Sequence, residues 1–245
     1  GIVNVYPKTI LIGSFLWSQI TKFKTKNFKK ISDFENQILK KKPIMIGIEE
    51  IAMSTLKEKT YFIGMPFFVN NKIQKKDYNK SRISILLSIG GTKNIFDKMT
   101  SILNTFEDNF DLKIYLDKNL FELTSNKKYN KFNYSDNNFK KLDWIIGRPG
   151  VGLINDSIKT LTPIITVVDE DNDEIKHNSD VIKSLGIGTN ILDIFNHKNF
   201  NSKELVSFLK NSIVKQKFVD KIKQVQIGGI SKTSNFLKNT LNEKV

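Results

Sequence analysis

The chain has 245 residues and 39% hydrophobic residues, enough for one large domain or two small ones with a substantial core. Its 39 Lys and Arg against 25 Asp and Glu give a formal net charge of +14, which favours anionic partners, although scattered lysines can also serve solubility alone. The lack of cysteine excludes disulfides and thiolate chemistry, and two histidines exclude a multi-histidine metal centre. No apolar run approaches the ~20 residues of a membrane span, so the reducing cytoplasm is the expected compartment.

The first 80 residues have the pattern of the later part of a domain. The chain begins with Gly1 and reaches at once the apolar run 10–13, which predicts a buried strand and leads us to expect that earlier sequence is missing. Ser32 and Glu35 form a capping-box pattern, which predicts a helix running to about residue 40. Further strands are expected at 43–46, 61–64 and 67–69, and the polar, basic segment 70–81 predicts a linker or long loop.

From residue 82 onward, predicted strands alternate with predicted helices. This alternation predicts a parallel α/β sheet with helices on both faces, whose strand ends and helix starts share one ligand-binding edge. The predicted strands are 83–89, 112–116, 144–146 and 163–168, and the predicted helices are 94–106, 137–141, 150–160 and 173–185, followed by a wholly helical segment 201–243.

The segment 147–156, Gly-Arg-Pro-Gly-Val-Gly-Leu-Ile-Asn-Asp, carries the strongest functional signal. It follows an apolar strand and opens a helix, and its three glycines permit positive φ and close approach of a ligand to the backbone. Unpaired amides at the helix start favour a phosphate there, and Asp156, one and a half turns later, could accept hydrogen bonds from a ribose diol. A plain strand-to-helix turn with glycines for packing remains the alternative.

Two further segments point to the same edge of the predicted sheet. Gly90, Gly91 and Thr92 end the first strand of this half, where they either contact a ligand or form a simple glycine-rich turn. The acidic run 169–174 leads into the predicted helix 173–185. Acidic residues at a helix start either complement the helix dipole or contact sugar hydroxyls. A calcium-binding loop is excluded because the required glycine and final glutamate are not at the right spacing.

The order of these motifs resembles the donor-binding half of GT-B glycosyltransferases, in particular those like the lipid-linked N-acetylglucosaminyltransferase of peptidoglycan synthesis. The resemblance covers residues 82–240 and is most specific over 143–188. It implies two Rossmann-like domains: 1–80 as the later part of an amino-terminal acceptor domain, and 81–245 as the domain that binds a nucleotide sugar, usually a UDP-sugar. It also implies a cytoplasmic enzyme that needs no metal or other cofactor, with a glycan or lipid-linked acceptor, and the charge of the chain would suit peripheral docking at the inner face of an anionic membrane.

The resemblance also implies roles for particular residues. Those expected to contact the nucleotide sugar are Gly90, Gly91, Thr92, Arg148, Gly150, Val151, Gly152, Asn155, Asp156, Asp173, Glu174 and Asn178. The chain departs from the family at Asp156, where the family usually has Glu, and at Ile175, where many relatives have Gln. The family's amino-terminal glycine-rich loop has no match here, so no catalytic base is assigned, although Ser14 and Trp17 are candidates for lining the acceptor cleft.

Two alternatives remain at this point. A nucleotide-sugar hydrolase or epimerase could use the same scaffold, because the sequence does not assign the group that would attack the sugar. A basic nucleic-acid-binding protein would interleave cations with exposed aromatic rings, as Lys127-Lys128-Tyr129 and Lys131-Phe132 do locally, although no recognised binding motif accompanies them.

Overall fold

The computed structural model describes residues 9–18, 27–73, 82–106, 111–124, 128–195 and 202–242. Its contacts divide the chain into two compact units. The first unit comprises Gly1–Asn71, Glu170–His177 and Gln226–Val245, and the second comprises Lys72–Asp169 and Asn178–Val225. The sequence-based division, by contrast, kept residues 81–245 together in one domain.

The first unit contains a three-stranded parallel sheet in the order β1-β2-β3. Its elements are β1 (Ile10–Ile12), α1 (Phe28–Leu39), β2 (Ile44–Ile48), α2 (Ser54–Lys59) and β3 (Tyr61–Met65). Ile44 pairs with Ile10 on one side and with Tyr61 on the other, and Ile46 and Ile48 are fully buried in the central strand. The predicted strand at 10–12 is therefore present, but Ile12 is 59% exposed, so the expectation that this strand is buried was wrong at that position. In the described sheet β1 pairs with β2 alone, which leaves its other edge uncovered by a strand.

Helix α1 begins earlier than the predicted capping box. Its first residue is Phe28, so Ser32 lies in the second turn and accepts only a long contact from the Asn36 side chain. The Glu35 carboxylate instead accepts hydrogen bonds from the backbone amides of Trp17 and Ser18. The predicted capping box was therefore wrong: Ser32 does not cap α1, and Glu35 accepts from amides that are distant in sequence.

The end of the chain returns to the first unit. Phe67 forms a parallel bridge with Ile227, and the Gly229 amide donates to the Phe67 carbonyl. Gly228 has φ +99°, a conformation that glycine adopts without strain. This turn begins the last helix, α10 (Gly229–Asn242), which packs against β3.

The second unit contains a six-stranded parallel sheet in the order β6-β5-β4-β7-β8-β9. Its strands are β4 (Ile83–Ser88), β5 (Leu112–Leu116), β6 (Asn130–Lys131), β7 (Trp144–Gly147), β8 (Ile164–Thr166) and β9 (Gly188–Asn190). Its helices are α3 (Phe96–Asn104), α4 (Lys118–Thr124), α5 (Asp136–Phe139), α6 (Val151–Thr160), the later part of α7 (Asp173–Ser184), α8 (Ser202–Lys210) and α9 (Ser212–Gln224), with a 3₁₀ turn at Ile191–Ile194. The chain builds the sheet outward from β4 in one direction and then from β7 in the other, which is the doubly wound order.

Trp144 belongs to the buried core of this unit. Its ring is fully buried beside Phe208 and Phe218, and its indole N–H donates to the Leu209 carbonyl at 3.1 Å. Without this bond, burial of the ring would leave the indole N–H without a hydrogen-bond partner. The contact anchors helices α8 and α9 to the sheet.

The sequence predicted the long elements and missed the short ones. The expected strands from residue 83 onward and the helices at 94–106, 150–160 and 173–185 are present with shifted ends. The segment predicted as one helical stretch consists of α8, α9 and α10, and α2, α4, β6 and β9 were not predicted. Most of the predicted linker, 74–81, lies outside the described residues. No helix in the described ranges is long and apolar enough to cross a membrane.

Candidate functional site

The predicted glycine turns lie at the topological switch point of the second unit. Strands β4 and β7 are adjacent and parallel, and Ser88 at the end of one pairs with Gly147 at the end of the other. The chain leaves β4 toward β5 on one side and leaves β7 toward β8 on the other. The loops after these two strands therefore diverge, and the carboxyl ends of such strands border the crevice where doubly wound sheets bind ligands.

The role of Gly147 is to allow two strands to approach closely, and it is not a residue of the crevice. A Cβ atom at Gly147 would lie 2.2 Å from the Ser88 carbonyl oxygen, and the Arg148 amide donates to the same oxygen at 3.0 Å. Glycine is required here because the two strand ends approach closely. The positive φ that these glycines permit is not used here, since Gly147, Gly150 and Gly152 all lack it.

The start of helix α6 carries unpaired backbone donors. Gly150 is the N-cap residue, and its carbonyl accepts the first helical bond from the Ile154 amide. In the described chain no acceptor bonds the amides of Val151, Gly152 and Leu153, and no side chain caps the helix. A Cβ atom built at Gly152 meets no atom of the neighbouring structure within 4 Å, so the helix start borders open space. Such amides, with the positive end of the helix dipole, favour an anion.

The turn after β4 is also open. Gly90 has φ +62°, and Cβ atoms built at Gly90 or Gly91 meet no other atom within 4 Å. The Thr92 hydroxyl accepts from the Asn94 amide, and the Asn94 side chain donates to Asp169 at 2.7 Å. Positive φ is thus found at Gly90 and not in the 147–152 turn, and both turns leave room for a ligand.

Arg148 follows β7 and lies close to the helix start. Its Nη1 atom lies 3.9 Å from the position of a Cβ atom at Gly150. A cationic guanidinium group therefore lies close to the N-cap, next to the partial positive charge of the helix amides. The arrangement suits a ligand that carries more than one negative charge.

Asp156 and Asn155 lie one turn further along α6. Burial raises the pKa of the Asp156 carboxyl to about 6, Lys159 opposes this rise and Asp136 adds to it. The Asn155 Oδ1 atom is buried and accepts no hydrogen bond within the described chain. Both side chains therefore offer acceptor oxygens whose hydrogen-bonding capacity the described protein atoms do not fill.

Tyr134 joins this edge and was not predicted. Its ring is 48% exposed and packs edge-on against Phe132 and Phe139. Burial is the main cause that raises the pKa of the Tyr134 phenol, and the buried Ser88 side chain lies near enough to oppose this rise. A half-exposed aromatic ring thus lies near the Ser88 end of β4.

The helix α7 supplies the remaining predicted residues. Asn178 is fully buried, and its side-chain amide donates to the Pro149 carbonyl at 2.9 Å, so it supports the turn before α6 from within. Asp173 and Glu174 form the first turn of α7, Glu174 is buried, and residues 170–177 group with the first unit. Asn172 caps this helix by accepting from the Ile175 amide at 3.2 Å.

The aromatic residues named for a nucleic-acid platform do not form one. Phe132 is 3% exposed and Tyr129 is 9% exposed, so their faces are not available to stack on bases. Lys127 lies outside the described residues. In the described ranges no group of three or more His, Asp or Glu side chains is arranged to hold a metal ion.

The sequence also missed Asp117 and Asn119, which directly follow β5. Asp117 is buried, and its carboxylate bonds Ser88 and the backbone of the turn at Gly90, while Asn119 donates to the Gly90 carbonyl. The sequence pattern that could have marked them is a pair of polar side chains directly after the apolar strand 112–116. No glycine motif accompanies this pair, so the sequence analysis did not select it.

Comparison with known proteins gives structural matches only. No protein-family model matches the sequence, and no curated protein matches it. The glycosyltransferase of kitacinnamycin superposes with a TM-score of 0.55 at 12% identity, over 91% of this chain and 67% of that one. SnogD from Streptomyces nogalater gives 0.53 at 12% identity, over 94% and 68%. VinC, solved with dTDP, gives 0.55 at 10% identity, over 96% and 66%. The chain has the GT-B fold.

The fold prediction is thereby confirmed: an α/β protein with parallel sheets flanked by helices, similar to glycosyltransferases of known structure. The chain spans about two thirds of the length of these structures. At such low identity the similarity extends to the fold, and it does not single out the peptidoglycan enzymes to which the sequence was compared.

Proposed function

We propose that the second unit binds a nucleoside-diphosphate sugar, and that the protein transfers the sugar to an acceptor hydroxyl. The observation that carries this proposal is the set of unpaired amides at the start of α6, which border open space at the switch point of the sheet. Two negatively charged phosphates suit these amides, the adjacent Gly90–Gly91 turn and Arg148. The similarity in fold to glycosyltransferases supports the same assignment.

Sugar transfer requires stabilisation of the departing diphosphate at the carboxyl ends of β4 and β7. The acceptor oxygen attacks the anomeric carbon, the bond from that carbon to the diphosphate oxygen breaks, and the diphosphate leaves with the electron pair. The acceptor's proton passes to a base that we do not assign. Val151, Gly152 and Arg148 stabilise the charge that develops on the diphosphate, because they are fixed before the reaction begins.

The nucleoside would extend toward Asp156 and Tyr134. The carboxylate of Asp156 can accept hydrogen bonds from the ribose hydroxyls, and the half-exposed ring of Tyr134 can stack on a base. The sequence resemblance favours UDP, whereas the VinC structure was solved with dTDP, so both nucleotides enter the test. Asp173 and Glu174 stay proposed contacts for the sugar, and Asn178 would act through the Pro149 carbonyl that it holds.

We also propose that the acceptor is a glycan or a lipid-linked molecule, with cell-surface glycan synthesis as the setting. The net charge of +14 and the absence of cysteine support a cytoplasmic protein that docks at the anionic inner face of a membrane. Co-sedimentation with vesicles should then increase with the fraction of anionic lipid and decrease with salt. Binding that ignores both variables would contradict the membrane part of the proposal.

Ligand-induced stabilisation tests the nucleotide site directly. UDP, dTDP, ADP and GDP are each added at increasing concentration, and the unfolding temperature is measured. A nucleotide at 100 times its Kd stabilises a protein by about 2.7 kcal/mol, which corresponds to roughly 5–10 °C for a chain of this size. Incubation with the sugar-linked form of the stabilising nucleotide then distinguishes transfer, which yields a glycoside, from hydrolysis or epimerisation.

The matched variants are Gly152→Trp and Ile213→Trp. Both replace the second residue of a helix, but Gly152 borders the open space at the switch point, whereas Ile213 is 70% exposed on α9. We expect Gly152→Trp to abolish the nucleotide shift and Ile213→Trp to retain it. A nucleotide shift that survives in Gly152→Trp would place the ligand elsewhere, and the absence of any shift in the unaltered protein would refute the site.

A further inference from the structure

The buried carboxylate of Asp117 is not explained by the core of the second unit. Asp117 is 3% exposed at the carboxyl end of β5, and in the described chain no Lys or Arg pairs with it. Its Oδ2 atom accepts from the Ser88 hydroxyl at 2.9 Å, the Ile89 amide at 2.8 Å and the Gly90 amide at 3.0 Å. Its Oδ1 atom accepts from the Leu120 amide at 2.7 Å. A buried charge is tolerated only with such a full set of donors.

These bonds hold the peptide of Gly90 from two directions. Asp117 fixes its amide, and the Asn119 side chain donates to its carbonyl at 2.5 Å. The left-handed conformation of Gly90, φ +62°, is thereby set by two side chains, one directly after β5 and one in α4. The carboxylate already occupies the Ile89 and Gly90 amides, and the amides that follow directly, those of Gly91 and Thr92, have no acceptor in the described chain.

We propose that Asp117 is a positioning residue for the diphosphate. It fixes the turn so that the Gly91 and Thr92 amides, and not those of Ile89 and Gly90, meet the phosphates opposite the start of α6. This inference rests on the proposed function, because it assigns a task within the same nucleotide site. The carboxylate is specifically required, since both oxygens accept backbone donors and an asparagine would place an NH₂ group against one of them.

The test compares Asp117→Asn with Asp143→Asn. Asp143 is a matched control because its carboxylate is also little exposed and also accepts a hydrogen bond from a backbone amide, that of Ser84. It lies where β4 begins, at the opposite end of the strands from Asp117. Affinities for UDP and UMP, and for dTDP and dTMP, are measured by calorimetry on both variants and the unaltered protein. We expect Asp117→Asn to weaken diphosphate binding about tenfold and monophosphate binding less than about twofold, and Asp143→Asn to change neither by more than about twofold.

A purely structural role would give a different pattern. Equal losses for the diphosphate and the monophosphate, or a loss no larger than that of Asp143→Asn, would overturn the inference while leaving the nucleotide site intact. Failure of the unaltered protein to bind either nucleotide would overturn both proposals. If Asp117→Asn does not fold, Asn119→Ala, at an exposed residue that holds the same peptide, should show the diphosphate-selective loss at about threefold, and its absence would refute the inference.

Discussion

Replacing Asp156 by Asn should stabilise the protein at alkaline pH. Burial raises the pKa of this carboxyl from 3.8 to about 6, which means that ionising Asp156 is harder in the folded state than in the unfolded state. Below pH 3.8 both states are protonated and Asp156 has no effect. Between pH 3.8 and about 6 the unfolded state loses its proton first, so stability falls as the pH rises, and above pH 6 the full penalty remains.

The size of the effect follows from the same pKa values. A rise of about two units corresponds to roughly 3 kcal/mol at pH 8, and partial solvent exposure of the carboxyl reduces this to about 1 kcal/mol. Asp156→Asn should therefore raise the free energy of unfolding in urea by about 1 kcal/mol at pH 8 and by about a third of that at pH 4.5.

Asp220 provides a control of opposite sign. The Lys223 side chain lowers the pKa of this exposed carboxyl, so Asp220 contributes stability above its unfolded pKa and loses it as the pH falls through the folded value. Asp220→Asn should not stabilise the protein at pH 8. If Asp156→Asn is neutral at pH 8, or its effect does not change with pH, the carboxyl is not desolvated as the structure indicates.

Two glycine-related predictions concern stability alone. Gly147→Ala should lower the free energy of unfolding by about 1–3 kcal/mol, because its Cβ would overlap the Ser88 carbonyl. Gly91→Ala, with empty space around its Cβ, should change the same free energy by less than about 0.5 kcal/mol in urea titrations. Equal effects of the two substitutions would refute the close approach of the strands. Lys42→Gly should stabilise the protein by about 1 kcal/mol, because Lys42, in the turn that follows α1, has φ 41°, whereas Lys41→Gly should not. A lower unfolding temperature in Lys42→Gly would contradict this.

The sequence was sufficient where one local signal determined the structure. The short apolar run 83–89, which ends at glycines, predicted a buried parallel strand, and the helical spacing of six apolar residues in 94–106 predicted α3. The open turns at Gly90 and Gly150 followed from glycine content and from their place between strand and helix. Short elements such as β6 and β9 were missed because they gain their order from the neighbouring strand and have little pattern of their own.

Residues that act across the fold were beyond sequence reasoning. Glu35 bonds amides 17 and 18 positions away, and Asp117 bonds amides 27 and 28 positions away, so no local motif marks either residue. Glycine conformations also depended on tertiary context, since Gly147 accommodates a neighbouring strand whereas Gly90 adopts positive φ. Tyr134 could not be distinguished from the buried Phe132 two residues earlier, because exposure at this edge depends on how the ring packs.

Because the end of the chain pairs with the first unit at Phe67 and Ile227, truncating the gene at its 3′ end should damage the first unit and not the second. A stop codon after Val225 would spare the six-stranded sheet and its helices, yet it would remove α10, which packs against β3 near the beginning of the sequence. Damage from a C-terminal deletion should therefore appear first in hydrogen exchange of the Tyr61–Met65 amides, at least 160 residues upstream of the cut.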